Sequence, residues 1–514
     1  MILLKKYRIA RVLGPLSLYQ RKFRAFRIRT KAALFYKKLP IRQHVSNGDE
    51  QRYHNKIGNY SKGLPHNELG EVDLDAYNKY IAALDSGDPD AFENIPLGGG
   101  RKLVNPQAAY AYELVGPDSH QLLLPPPPPF SSAQLAGEMV EDYWQALTRD
   151  VPFNEYETNS LTTSAAKELS SLSRFRGPTI NGQVTPQILY RKDLPGALIG
   201  PFVSQFLWKD IPYVGTEIAQ RYRTTVAGDD HLTSYEDWLA VQNGEAPPSS
   251  STFDPTRRYI RNLRDLGEYV HNDVSVESAL GAFFILLKYG PEAIDPNNPY
   301  LDSDTQVGFA TFGATHAVDF VSRAARPALL AAWFQKWLVH RRLRPEAFGG
   351  RIHNKLTGAA DYPIHPEVLN SEALALIFEK YGTYLLPQVY PEGSPTHPSY
   401  PAGHSSFIGA MVTMLKAFFN ESFVIPDPVV ASSDGLSLIP YEGTLTVGGE
   451  LNKLAYNISI GRDAAGVHLR TSGINGLKLG EAIAVGILRD YRETYNEDFE
   501  GFTLTTFDGK QICI

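Results

Sequence analysis

Three histidines and three cationic residues fall within three short stretches of the C-terminal half of this 514-residue sequence. The first stretch, Ser394–Ser406, holds His397, Gly403 and His404. Its prolines favour an extended backbone, and Gly403 permits a sharp turn into an apolar stripe at helical spacing. We therefore expect His404 at or beside a helix N-terminus, where it could exchange a proton with an anion. The alternative is a proline-rich turn with an ordinary histidine.

The second stretch runs from Lys336 to Pro345. Pro345 is predicted to end the helix just before it and to leave Arg344 at a helix terminus. Apolar neighbours, Trp333 among them, predict that Lys336 lies close to buried groups. The alternative is a basic helix end that complements its own dipole.

The third stretch contains Arg462 and His468. Arg462 continues the apolar stripe of a predicted helix over Leu451–Arg462, and a buried arginine requires an anion because an unpaired buried charge is costly. Gly466 can break the helix and bring His468 to the same side. A helix-end arginine that reaches solvent, beside a loop histidine, is the alternative.

Taken together, these stretches predict a pocket for a tetrahedral oxyanion such as phosphate or vanadate. Its hydrogen-bond donors would be Lys336, Arg344, Arg462 and the Gly403 amide. His404 and His468 would lie on opposite sides, one binding the central atom and one handling protons, while His397 could approach the same cavity. A zinc site of three histidines is the alternative, but the three cations would repel a divalent metal.

The same residues resemble the motifs of the vanadium-dependent haloperoxidase and type-2 phosphatidic-acid phosphatase superfamily. The resemblance is carried by Lys336 with Arg344-Pro345, by Pro-Ala-Gly-His404, and by Arg462 with His468 six residues later. Two further phrases are similar to the algal bromoperoxidase branch: Glu392-Gly-Ser-Pro-Thr-His-Pro-Ser-Tyr400 and Gly443-Thr-Leu-Thr-Val-Gly-Gly-Glu-Leu-Asn-Lys-Leu454. The likeness covers residues 50–514.

The resemblance implies a vanadate-dependent bromoperoxidase with one vanadate per subunit. It implies that His468 binds vanadium and that four residues hold the oxygens: Lys336, Arg344, Gly403 and Arg462. It assigns acid–base work on hydrogen peroxide to His404. Bromide or iodide would be oxidised to a hypohalous species that halogenates a small organic acceptor, with vanadium as a Lewis acid.

Two residues bear on the halide. His397 matches an additional histidine of the bromoperoxidases, which favours bromide and iodide over chloride as substrates. Trp333 is a candidate for the halide side of the pocket. Both assignments are implied by the resemblance alone.

Two positions depart from the family pattern. Ala402 stands where a serine usually contacts vanadate, and a lost hydrogen bond of about 1 kcal/mol should weaken oxyanion binding. Ser472 stands where the phosphatases have an aspartate that orients a nucleophilic histidine.

The alternative function is an acid phosphatase with His468 as nucleophile and His404 as leaving-group acid. A third option, motivated by Ala402, is a non-catalytic oxyanion-binding protein.

Charge and composition limit the other possibilities. Of the 50 Lys and Arg residues, 13 lie within residues 1–43, which contain no acidic residue. The remainder is acidic, which argues against nucleic acid as a partner. The single cysteine, Cys513, excludes an intrachain disulfide. We find no membrane-spanning run and no secretory signal, so a cytoplasmic protein is the default expectation.

The expected architecture is mostly α, with two four-helix bundles, long connecting loops and little β structure. We expect a basic segment over residues 1–50 (a targeting peptide, a surface-binding arm or a poorly ordered tail), a helical half over 51–256, and a helical half over 257–514 that carries the vanadate site. Ser131-Ser-Ala-Gln134 predicts a capping box, and Gly98–Lys102 predicts a surface turn rather than a phosphate loop. The resemblance implies a homodimer or larger homo-oligomer and leaves structural calcium open.

Overall fold

The computed structural model describes residues 15–514, whose regular structure is mostly helical. This range contains the α-helices α1 (Leu18–Lys37), α2 (Asp49–Arg52), α3 (Leu74–Ser86), α4 (Pro89–Glu93), α5 (Ala133–Thr148), α6 (Ser160–Ser171), α7 (Tyr235–Gln242), α8 (Leu263–Tyr269), α9 (Glu277–Lys288), α10 (Ala314–Phe334), α11 (Pro345–Leu356), α12 (Pro366–Leu369), α13 (Glu372–Tyr381), α14 (Gly403–Phe418), α15 (Val447–Ala464) and α16 (Arg470–Arg492). The mostly α prediction is confirmed. The division into two four-helix bundles stays a prediction.

The strands form three separate antiparallel pairs. They are β1 (Ile211–Tyr213) with β2 (Thr216–Ile218), β3 (Val429–Ala431) with β4 (Leu438–Pro440), and β5 (Thr503–Thr505) with β6 (Gln511–Cys513). Each strand has three residues, so the predicted scarcity of β structure is confirmed.

Helix α14 lies inside the core and packs against α10, α15 and α16. All of its residues except His404 are buried. Glycines permit its close approach to α16, because a Cβ on Gly480 would overlap the backbone of Ser406, and one on Gly409 would overlap Leu477. This packing fixes the N-terminus of α14, where His404 lies.

The described part of the basic N-terminal segment is not irregular throughout, because α1 spans twenty of its residues. The helix has no buried residue. The Tyr36 hydroxyl lies 3.2 Å from the backbone oxygen of Gly486, and Lys31 pairs with Glu493 at 2.7 Å. Residues 1–14 lie outside the described residues, and the role of the segment stays a prediction.

Two local predictions were wrong. Ser132, rather than Ser131, caps α5 by accepting from the Leu135 amide, and no capping box forms. The segment before Pro345 ends at His340, where a π-helical turn, Gln335–His340, follows α10. Pro345 instead begins α11, because the first turn of a helix needs no N–H donor from that position.

Among residues 15–514, no helix combines the length and the hydropathy that crossing a bilayer requires.

Candidate active site

The predicted oxyanion-binding residues come from the ends of four helices. Lys336 lies in the π-helical turn after α10, and Arg344 is the N-cap of α11. Gly403 begins α14, Arg462 lies in the last turn of α15, and His468 lies in the loop that leads to α16. Helix ends present unpaired backbone groups and a partial charge, so this placement suits a charged ligand.

Arg344 links two of the predicted histidines. Its Nη1 donates to Nε2 of His468 at 3.0 Å and to the Val467 carbonyl at 2.8 Å. Its Nη2 lies 3.0 Å from Nδ1 of His397, which also lies 3.1 Å from the Pro398 carbonyl. Because a guanidinium only donates, His468 Nε2 accepts its bond from Arg344 with a lone pair. His468 Nε2 therefore has the electron pair that binding a metal centre requires.

The three predicted cations lie together without a counter-charge. Lys336 is fully buried and donates to the Pro398 carbonyl at 2.6 Å. Within residues 15–514, no carboxylate forms an ion pair with Lys336, Arg344 or Arg462. Burial, followed by the charges of the two arginines, lowers the pKa of Lys336 well below its ordinary value. Burial and Arg462 likewise lower the pKa of Arg344 to about 9. An oxyanion bound between these side chains would relieve this repulsion.

Arg462 is held by an aromatic residue that sequence reasoning missed. Its Nη1 donates to the Val270 carbonyl at 2.6 Å and to the Tyr390 hydroxyl at 3.2 Å. That hydroxyl in turn donates to the Gly267 carbonyl at 2.7 Å. The Nε of Arg462 is buried and has no hydrogen-bond partner within the described range. Arg462 thus keeps donor capacity for a ligand.

His404 pairs with a carboxylate that sequence reasoning also missed. Its Nε2 lies 2.8 Å from Oδ1 of Asp273, in the loop between α8 and α9. Burial raises the pKa of Asp273, but His404 outweighs it and the net pKa is below the ordinary value. Burial lowers the pKa of His404, and Asp273 opposes that shift. The pair therefore has the form of an oriented acid–base group, and the His404 side chain is 22% exposed.

His397 and Trp333 form one wall beside the cations. Their ring centroids are 4.9 Å apart, and the Lys336 Nζ lies 5.8 Å from the Trp333 ring. Burial, then the charges of Lys336 and Arg344, lowers the pKa of His397 well below its ordinary value. Both effects favour the neutral form of this imidazole.

The two departures from the family pattern have distinct surroundings. Ala402 is buried and is the N-cap of α14, with no side-chain capping bond. Its backbone amide donates to the Ser472 carbonyl at 3.0 Å. The Ser472 hydroxyl lies 3.5 Å from Nη1 of Arg342, while His468 Nδ1 is buried without a partner among residues 15–514. Ser472 therefore does not orient His468.

The predicted histidines do not make a conventional metal-ligand cluster. Among the described residues there is no group of three or more His, Cys, Asp or Glu side chains that could hold a metal ion. The predicted residues do fit a tetrahedral oxyanion such as vanadate, because they combine uncompensated buried cations with the lone pair on His468 Nε2.

Comparison with known proteins decides the family. A model of the second helical-bundle domain of the VCPO family matches residues 317–497, which contain all the predicted site residues. The chain is 36% identical to the vanadium-dependent bromoperoxidase of Ascophyllum nodosum over 480 residues, 88% of this chain and 86% of the relative. The chain belongs to the vanadium-dependent bromoperoxidase family.

Two further members of this family match over nearly the whole chain. The vanadium-dependent bromoperoxidase of Corallina officinalis is 33% identical over 97% of this chain and 99% of its own length. The homohexameric structure of the second vanadate-dependent bromoperoxidase of Ascophyllum nodosum matches with a TM-score of 0.93. That match has 31% identity and covers 99% of this chain and 93% of the other. The resemblance seen in the motifs is confirmed.

Proposed function

We propose that this bromoperoxidase-family enzyme uses hydrogen peroxide to oxidise bromide to a hypohalous species that halogenates small organic acceptors. The observation that favours this reaction is that Asp273 pairs with His404 rather than with His468. The Asp273 carboxylate is hydrogen-bonded to His404, the candidate acid–base residue, and is not hydrogen-bonded to His468. A phosphatase with His468 as its nucleophile would need the opposite arrangement, because a nucleophilic histidine needs an orienting partner.

Vanadate is the cofactor that the family implies, and the residues present fit it. Lys336, Arg344, Arg462 and the Gly403 amide would hold its oxygens, and His468 Nε2 would bind the metal. When bound, vanadate supplies Lewis acidity that activates hydrogen peroxide. The protein contributes donors already fixed by the Pro398, Val467 and Tyr390 contacts, so little reorganisation accompanies binding.

His404 takes a proton from hydrogen peroxide and returns a proton as the hypohalous product leaves. Its Nε2 faces Asp273, which stabilises the imidazolium form when the proton arrives. The partial exposure of the side chain gives it access to solvent water. Asp273 is therefore a positioning residue for His404.

The halide approaches beside His397 and Trp333. A neutral His397 and an aromatic ring form a polarizable surface next to the Lys336 ammonium, which suits large anions such as bromide and iodide. The preference for bromide and iodide over chloride rests on His397.

Halogenation of a cyclic diketone tests the reaction. The purified protein is assayed with hydrogen peroxide and bromide, with and without orthovanadate, while release of p-nitrophenol from its phosphate ester is followed in parallel. We expect vanadate-dependent bromination, weaker activity with chloride and no phosphate release. Phosphate release that vanadate inhibits, without bromination, would identify an acid phosphatase instead.

We also propose a homo-oligomer, since a relative that matches over 93% of its length is homohexameric. Helix α1 offers an outward stripe for subunit contact. Tyr19, Phe23 and Phe26, at i, i+4 and i+7, are 81%, 55% and 64% exposed. Light scattering of the purified protein gives the subunit number, and a monomer at micromolar concentration would contradict this proposal.

A further inference from the structure

The glycine-rich turn Gly98–Lys102 is held rigidly at the rim of the candidate active site. The Gly98 amide donates to the Gly63 carbonyl at 2.9 Å, and the Arg101 amide donates to the Gly244 carbonyl at 3.0 Å. A Cβ on Gly99 would overlap the backbone of Gly244. The turn therefore requires glycine, because it fits closely between two other backbone segments.

This turn lies along the outside of the loop that carries His397. The Arg101 Nη1 donates to the Glu392 carbonyl at 3.1 Å, and the Val104 amide donates to the Thr396 carbonyl at 2.9 Å. Trp333 Nε1 donates to the Val104 carbonyl at 3.2 Å. The segment 101–104 thus contacts both the active-site loop and the candidate halide wall.

An open cavity of about 420 Å³ lies at the turn, lined by Gly100, Arg101, Ala246, Pro247 and Glu392. This volume is in the range of sites for small organic molecules. Its two charged groups differ in their pairing. The Glu392 carboxylate accepts from His271 at 2.8 Å, whereas Arg101 forms no ion pair within the described residues. The cavity therefore combines an apolar surface with the Arg101 cation, while the Glu392 carboxylate in its wall is paired with His271.

We propose that this cavity binds the organic acceptor and that Arg101 favours acceptors with an anionic enolate or phenolate oxygen. The proposal rests on the proposed function. An electrophilic halogen reacts with electron-rich carbon, and deprotonation to an enolate or phenolate makes that carbon more nucleophilic. A guanidinium binds such an oxygen through charge-assisted hydrogen bonds. The cavity then holds the reactive form of the acceptor beside the loop that carries His397.

Two variants separate shape from charge. Gly100→Leu fills the cavity, and it should fold because a Cβ at Gly100 meets nothing within 4 Å. Arg101→Gln removes the cation but keeps a polar side chain. The matched controls are Gly215→Leu, at a glycine that also faces open space, and Lys102→Gln, at the exposed neighbouring cation.

Each holoenzyme is assayed with a cyclic diketone as its enolate and with a neutral methoxybenzene of similar size. Oxygen release from bromide and hydrogen peroxide without an organic acceptor reports halide oxidation alone. We expect Gly100→Leu to raise KM for both acceptors about tenfold. Arg101→Gln should raise KM for the enolate only, and oxygen release should stay within twofold in all variants.

An unchanged enolate KM in both variants would overturn the proposal, since the acceptor would then react with hypohalous acid released into solution. An equal rise for both acceptors in Arg101→Gln would overturn the charge preference. Failure of the proposed function is a separate result, because the unmodified holoenzyme would then release no oxygen.

Discussion

His404 and Asp273 lie 2.8 Å apart at the candidate active site, although 131 residues separate them along the chain. The histidine comes from the N-terminus of the buried helix α14, and the aspartate comes from the loop after α8. Their contact unites a fixed core element with a loop at the rim. The candidate acid–base histidine therefore has a different partner from His468, whose Nε2 faces Arg344.

Replacement of Asp273 by Asn should slow catalysis without removing the oxyanion pocket. The amide cannot stabilise the His404 imidazolium, so we expect bromide oxidation to fall roughly 100-fold. Vanadate affinity should change less than a few-fold. Steady-state rates and a vanadate titration measure the two effects. Asp254→Asn, at a carboxylate that pairs with Arg258, is the control; an unchanged rate in Asp273→Asn would remove Asp273 from the mechanism.

His468→Ala should abolish vanadate binding, because the lone pair on Nε2 is lost while the cations remain. Binding is measured by ultrafiltration with free vanadate. His316→Ala is the control, since His316 is also buried but bonds Tyr495 and the Phe312 amide. Thermal unfolding of both variants establishes that the fold persists. Full retention of vanadate by His468→Ala would refute the assignment.

Ala402→Ser should tighten vanadate binding about fivefold, the effect of one added hydrogen bond of about 1 kcal/mol. The hydroxyl of the introduced serine could instead cap helix α14, because position 402 is the N-cap of this helix. A serine that caps the helix would instead raise the free energy of unfolding by about 1 kcal/mol. Vanadate affinity and vanadate-free unfolding are therefore measured together. Greater stability without greater affinity would show that the missing serine does not limit vanadate binding.

The ion pair of His271 with Glu392 should make stability depend on pH. Burial opposes both charges, but the carboxylates of Glu268 and Glu392 raise the pKa of His271 above 6.5. Burial raises the pKa of Glu392, but His271 outweighs burial and lowers this pKa from 4.5 to about 2. The histidine contribution is complete below pH 6.5 and is lost as pH rises through the raised pKa. The glutamate contribution is complete above pH 4.5 and is lost as pH falls towards about 2.

His271→Gln should therefore lower the free energy of unfolding by about 2 kcal/mol near pH 5.5 and by less near pH 9. Denaturant unfolding at both pH values measures the difference. His353→Gln is the control, because burial lowers the pKa of His353, so its replacement should cost less stability near pH 5.5 than near pH 9, the opposite of His271. An equal loss at both pH values in His271→Gln would contradict the charged pair.

Sequence reasoning selected the candidate oxyanion-binding residues because each lies in a local pattern. A proline, a glycine or an apolar stripe marks the helix ends that carry Arg344, Gly403 and Arg462. The apolar stripe after Gly403 also predicted helix α14. Sequence reasoning misplaced the end of the helix before Pro345, because the π-helical turn Gln335–His340 and the start of α11 depend on packing rather than on proline alone.

Local sequence determined which residues could hold an oxyanion, since residue type, spacing and helix ends are properties of short segments. Tertiary structure decided which partners those residues have. Asp273 and Tyr390 lie in loops without a distinctive pattern, and Arg101 follows a glycine run that predicts only a surface turn. Long-range packing brings these three residues to His404, Arg462 and Glu392. Side-chain pairing and protonation depend on burial and on distances across the fold, and no short stretch of sequence encodes either.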